Sequence, residues 1–363
     1  MLEFGRAELL RSADQVLEAR CRVSRAHPPA FEALHVISVS THRLARKNPD
    51  DREVSKQHDA GADTGEVVEL GCGFYDSRCS HDDQQAIQSV AAVSDALIYN
   101  IGIPREFPSR GISFEALHYA AACRTMDAAV ANGVRRFLLM SANGVKADGT
   151  AYQTSKYRAE SYLKDLDLDW TIMRPSVLFG DPRGRMEFAT QLYRDIVRSP
   201  LPAPLFYNGL LPVNAGMLRM SPVHVKDVAT AFVKALDMPE TAGQIYELCG
   251  PDALPWKDIL QMIAAAAGTT KVALPAPAML LKVLAAALDQ YAFFPITRDQ
   301  LTMLEEGNTA DPSIVESLIG RPAAAFSGAA ASSASVSILT NGVTPPMGSF
   351  ENDQPKARAP SRR

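Results

Sequence analysis

Arg135-Arg136-Phe137-Leu138-Leu139-Met140-Ser141, then Tyr152-Gln153-Thr154-Ser155-Lys156, then Trp170-Thr171-Ile172-Met173-Arg174-Pro175 read as strand, helix and strand, and this order decides the fold. The Phe137–Met140 run is short, apolar and uncharged, as befits a strand covered on both faces of a parallel sheet. Downstream, Ala159, Tyr162, Leu163 and Leu166 recur at i, i+3, i+4 and i+7, the stripe of a helix packed on that sheet. Thr150 or Asp148 is suited to cap its start. Strands alternating with such helices give an α/β fold with a doubly wound, mostly parallel sheet.

Tyr152 and Lys156 are one helical turn apart and leave the same face. A phenol titrates near pH ~10 and is a poor acid or base at neutrality unless its phenolate is stabilised. An ammonium group close by provides that stabilisation. Ser141, closing the strand, is placed to orient a substrate oxygen that the phenol protonates. A Tyr-x-x-x-Lys pair arises readily by chance, so its weight comes from its place between a strand ending in Ser and a second βα step.

With the run Leu168–Gly184 (LDWTIMRPSVLFGDPRG), these features resemble the extended, atypical branch of the short-chain dehydrogenase/reductase superfamily. The chain is most similar to bacterial NAD(P)H-binding proteins related to the 39-kDa accessory subunit of respiratory complex I, from about Val67 to about Asp311. The resemblance implies a Rossmann-like core, a small C-terminal α/β lobe for substrate, and NAD or NADP as cofactor. It makes Tyr152 the general acid/base, Lys156 the group that lowers its pKa and holds the ribose, and Ser141 the residue that orients the substrate oxygen. Asp76 falls beside the adenine, Gly102 where the backbone passes the ribose and nicotinamide, and Pro175 and Ser176 where the backbone meets the nicotinamide amide. An ordinary strand-end glycine is the competing account of Gly102.

The implied activity is oxidoreductase or epimerase-like chemistry on a small molecule. Some members of this subgroup have structural or binding roles, so a non-catalytic nucleotide sensor or accessory scaffold is the alternative. A third reading comes from Val67–Gly73 (VVELGCG), which resembles the first motif of S-adenosylmethionine-dependent methyltransferases. Tyr75 stands where that motif wants its next glycine, which weighs against it.

Residues 1–65 depart from the pattern. A first strand followed by a glycine-rich, pyrophosphate-binding turn is expected, yet the glycines there are Gly5, Gly61 and Gly65. The site has decayed, is built unusually, or is misread in frame; the three accounts stay open. His35–Arg43 reads as a second strand, with Thr41, His42 and Arg43 where a 2′-phosphate would be met, and Glu66–Leu70 as a third. The domain expectation is a divergent segment 1–65 with an atypical first βαβ unit, a Rossmann-like core 66–181, the remaining core and C-terminal lobe 182–320, and a tail without structure 321–363. In that tail Ala, Ser, Pro and Gly dominate and cannot offset ordering entropy.

Composition narrows the partners. The 363 residues, 47% hydrophobic, suffice for a large core, and the net charge of −4 gives no case for nucleic acid. Five scattered cysteines fit a reducing compartment, and Cys72, Cys79 and His81 match no zinc spacing. Prolines break the uncharged run Ser199–Leu218, so no segment reads as a membrane span. The acid-containing N-terminus is unlike a transit peptide, and the expected location is cytoplasmic. A homodimer, or association with a larger complex, fits the alanine-rich helix Phe114–Ala131. His224 reads as a structural histidine, and Arg183 and Arg185 as loop arginines near the substrate side.

Overall fold

The computed structural model describes strands β1 (Leu34–Val39) and β2 (Val67–Cys72) and residues 84–92, 94–107, 111–180, 187–288 and 297–327. The core is a six-stranded sheet. Its other strands are β3 (Ala96–Tyr99), β4 (Arg136–Met140), β5 (Asp169–Pro175) and β6 (Gln244–Leu248), in the order β6-β5-β4-β3-β1-β2. β3 through β6 run parallel, with Ile98 beside Leu138, Leu138 beside Thr171, and Thr171 beside Gln244.

Alternation along these strands separates two cores. Leu97, Tyr99, Phe137, Leu139 and Ile172 face one way, onto α1 (Gln84–Ala91), α2 (Ala121–Ala131) and α3 (Ala151–Lys164). Ile98, Leu138 and Met173 face the other, onto α4 (Val225–Leu236), and α7 (Pro312–Ile319) joins the same core. The doubly wound architecture expected from the sequence is thus present, and each fully buried side chain contributes about 1.5–3 kcal/mol.

Two expectations are corrected. The run read as a second strand, β1, lies directly against β3 and antiparallel to it, with Ile37 opposite Ile98. It also pairs antiparallel with β2. An antiparallel neighbour needs no crossover helix, whereas a parallel one does, so this edge of the sheet departs from regular βαβ winding. Gly71, invoked in the methyltransferase reading, lies within β2 opposite His35. The tail was expected to lose structure at Arg321, yet its first residues are seated. Arg321 pairs with buried Asp227, which also accepts from the Ala324 amide at 2.8 Å, and Phe326 meets Phe179 edge-on at 5.0 Å.

The C-terminal lobe has its own core, in which Trp256, Ile259, Leu260 and Ile263 of α5 (Trp256–Ala266) pack with Phe206, Phe179 and Leu301. The Trp256 indole donates to the Pro204 carbonyl at 2.9 Å. From this lobe α6 (Arg298–Glu306) reaches back to the start of α3.

Candidate active site

The first turn of α3 is built by its neighbours. Thr150 is its N-cap, accepting from the Gln153 amide, while the Gln153 side chain accepts from the Thr150 amide, a reciprocal pair that satisfies two orphan donors. Buried Gln153 also donates to the Gly144 carbonyl at 2.8 Å and to Glu306 of α6 at 2.7 Å. Lys146 holds the other Glu306 oxygen at 2.7 Å, and Asp299 accepts from the Ala151 amide at 3.2 Å. The loop after β4, the start of α3 and the C-terminal lobe are therefore fastened at one point.

Tyr152 stands half-buried in an aromatic box. Its ring lies edge-on to Phe114 at 5.6 Å and to His118 at 5.1 Å. One turn on, the Lys156 Nζ lies 5.7 Å from the Tyr152 ring centre and donates to the Met140 carbonyl at 3.2 Å. Burial pulls the Lys156 pKa down to about 8, against the opposing pull of Glu160. Gly102 is exposed beside it, and a Cβ there would lie 3.6 Å from the Lys156 Nζ. Tyr99, Ile101, His118, Met140 and Ser141 line the recess around this amine.

Ser141 sits differently from expectation. Its hydroxyl donates to Glu160 at 2.5 Å, and Glu160, fully buried, also receives Arg174 Nε at 2.9 Å and Nη2 at 2.6 Å. The serine is brought to the same helix as Tyr152 and Lys156, but its proton is committed to a carboxylate. At the end of β5 the Pro175 carbonyl accepts from the Asn143 amide at 3.0 Å and the Ser176 amide donates to the Leu248 carbonyl at 2.9 Å. These groups tie the rims of β4, β5 and β6 together. Asp76, Arg183, Arg185, the Thr41–Arg43 triplet, and Cys79 and His81 lie outside the described residues. His224 caps α4 by accepting from the Lys226 amide at 3.1 Å, which is the structural role read for it.

Glu160, Arg174, Gln153 and His118 were not singled out from the sequence. Glu160 carried a signal, being one turn beyond Lys156 on the buried face of α3. His118 carried another, standing beside Leu117 in the apolar stretch of the preceding helix.

The residues at this rim fit the nicotinamide-ribose end of a dinucleotide. A buried amine has one hydrogen bond among the described residues, to a backbone carbonyl, and faces a strand-end glycine whose backbone permits close approach. Comparisons point to the same ligand class. Residues 78–195 match the NAD(P)H-binding protein family. The mitochondrial NADH-ubiquinone oxidoreductase 40 kDa subunit of Neurospora crassa is 26% identical over 278 residues, covering 74% of this chain and 68% of that protein. The mitochondrial NADH dehydrogenase [ubiquinone] 1 alpha subcomplex subunit 9 of Arabidopsis thaliana is 29% identical over 205 residues, covering 55% of this chain and 46% of that protein. The chain therefore spans about half the length of this second relative. Among solved structures, UDP-glucose 4-epimerase from Bifidobacterium longum in complex with NAD+ and UDP shares the fold, with a TM-score of 0.55 at 15% identity over 72% of this chain and 82% of that one.

Fold, site and family match define an NAD(P)H-binding protein of the Rossmann-like, doubly wound class, with NAD or NADP as its cofactor. Within that class the sequence is similar to the two mitochondrial NADH dehydrogenase subunits named above.

Proposed function

We propose that this protein is an NAD(P)-dependent oxidoreductase, or an enzyme with epimerase-like chemistry, acting on a small hydroxyl- or carbonyl-bearing substrate. One observation carries the reading: Tyr152 and Lys156 share a face of α3, with the amine buried beneath exposed Gly102. When bound, the nicotinamide supplies or accepts the hydride. Lys156 would hold a ribose hydroxyl, and its positive charge would favour the phenolate of Tyr152. The Tyr152 hydroxyl would then give or take the proton at the substrate oxygen. Phe114 and His118 keep that ring in one orientation.

The Ser141–Glu160 bond favours a second reading. With that hydroxyl engaged, the chain would act as a nucleotide-holding accessory subunit of a larger assembly, as the names of its relatives suggest. The cytoplasm is the compartment proposed, consistent with the free thiols of Cys123 and Cys249. Titration with NADPH and NADH separates the readings, followed by a search for isotopic hydride exchange. Binding with exchange supports the enzyme, and binding without exchange supports the accessory subunit. Absence of binding to either nucleotide overturns both.

A further inference from the structure

We infer that His118 is a positioning residue, a strut that sets the distance between the Gly102 edge and the helix carrying Tyr152 and Lys156. Its effect on cofactor binding rests on the function proposed above; its mechanical role does not.

His118 is 2% exposed and lies on the π-helical turn Glu115–Ala120 that leads into α2. Its Nε2 accepts from the Ile103 amide at 3.0 Å. A ring nitrogen that accepts carries no proton, so in the neutral imidazole the hydrogen resides on Nδ1. That nitrogen lies 3.1 Å from the Ser155 hydroxyl, which donates in turn to the Tyr152 carbonyl at 2.9 Å. The bonds form one directed chain from the strand end, through the imidazole and serine, to the backbone of the tyrosine. Ile103 follows Gly102 directly, and Ser155 precedes Lys156 directly. Both sides of the ribose site are therefore set by a single ring.

The ring is also confined in its plane. Phe114 stacks on it at 5.1 Å with 22° between planes, and Tyr152 stands across it at 88°. Burial and the charge of Lys156 hold its pKa well below the ordinary histidine value, so the neutral form the chain requires is the stable one. The mechanism proposed above gives His118 no proton to transfer, which leaves spacing as its task.

Two variants test this. His118→Leu fills the space but removes both polar contacts, whereas His118→Gln retains one acceptor and one donor. In His118→Leu, exchange of the Ile103 amide should quicken by about 100-fold or more while the amides of Phe137, Leu138 and Leu139 keep their protection. The Kd for NADPH should rise by about tenfold, the cost of losing one buried partner. In His118→Gln, Ile103 protection and NADPH affinity should both return to within about threefold of the original. A role in packing alone predicts that Leu and Gln lower stability without this split. Unchanged Ile103 exchange in the Leu variant overturns the strut, and so does a folded Gln variant that restores neither property. If the Leu variant fails to fold, the Gln variant decides. Failure of the unmodified protein to bind NADPH overturns the cofactor site, while the exchange measurement still judges the strut.

Discussion

Lys156 and Glu160 are successive turns of one helix, both buried and both ionisable, yet their surroundings are opposite. Glu160 is saturated: Ser141 and two nitrogens of Arg174 surround its oxygens, with Lys164 a further 3.9 Å away. Lys156 has three donors and, among the described residues, one acceptor, the Met140 carbonyl. A fully satisfied buried charge fixes structure, because all its capacity is already spent. An under-satisfied one leaves capacity for a ligand. The difference separates a structural half of α3 from the half to which the proposed chemistry is assigned.

The largest effect that would break this contrast is on the structural half. Glu160→Gln leaves Arg174 with only the longer, more exposed pairing to Glu247 at 3.7 Å and should lower stability by roughly 3–5 kcal/mol in urea unfolding; a loss below ~1 kcal/mol would mean Glu160 is no anchor. On the facing half, Tyr152→Phe keeps the ring contacts and should reduce any hydride exchange by at least about 10²-fold with nucleotide affinity nearly unchanged. Retained exchange would show that another group moves the proton.

Lys156→Met should act in the opposite sense on stability and binding. Burial lowers the Lys156 pKa to about 8, below the ~10.4 of a free side chain. The unfolded chain therefore holds that proton more tightly, and stability of the unmodified protein should rise as pH climbs from about 8 to about 10. The variant should lose that rise and gain roughly 1–3 kcal/mol at pH 7, while NADPH binding weakens by tenfold or more. Equal pH profiles for the two proteins would refute the assignment. Least affected should be Ser141→Ala, which removes one of the bonds to Glu160 for about 1 kcal/mol and leaves hydride exchange within about threefold. A large drop in exchange would return Ser141 to the reacting groups.

Much of this was legible in the sequence, for identifiable reasons. The uninterrupted apolar run Phe137–Met140 and the stripe through Ala159 and Leu163 report burial directly: the structure divides the run between the two cores and sets the stripe in one of them. Thr150 marks the start of its helix because capping is a local matter. The direction of β1 was not legible, since an apolar strand reads alike in either orientation. The partner of Ser141 was equally hidden: nothing near it in the chain reveals that a glutamate 19 residues on accepts its hydrogen bond. Nor does local sequence show that His118 meets Ile103 and Ser155, contacts made only once two helices and a strand end converge.

The junction at Glu306 bears on how the site comes into being. The residues that steady the first turn of α3 arrive more than 140 positions after it: Asp299 for Ala151, and Glu306 for Gln153 and Lys146. During synthesis the tyrosine-bearing helix would emerge long before its fastening. A fragment trimmed to the nucleotide-binding half would carry every group proposed to react and still leave that turn untethered, so the two lobes are best regarded as one working unit, completed when the late helix closes over the early one.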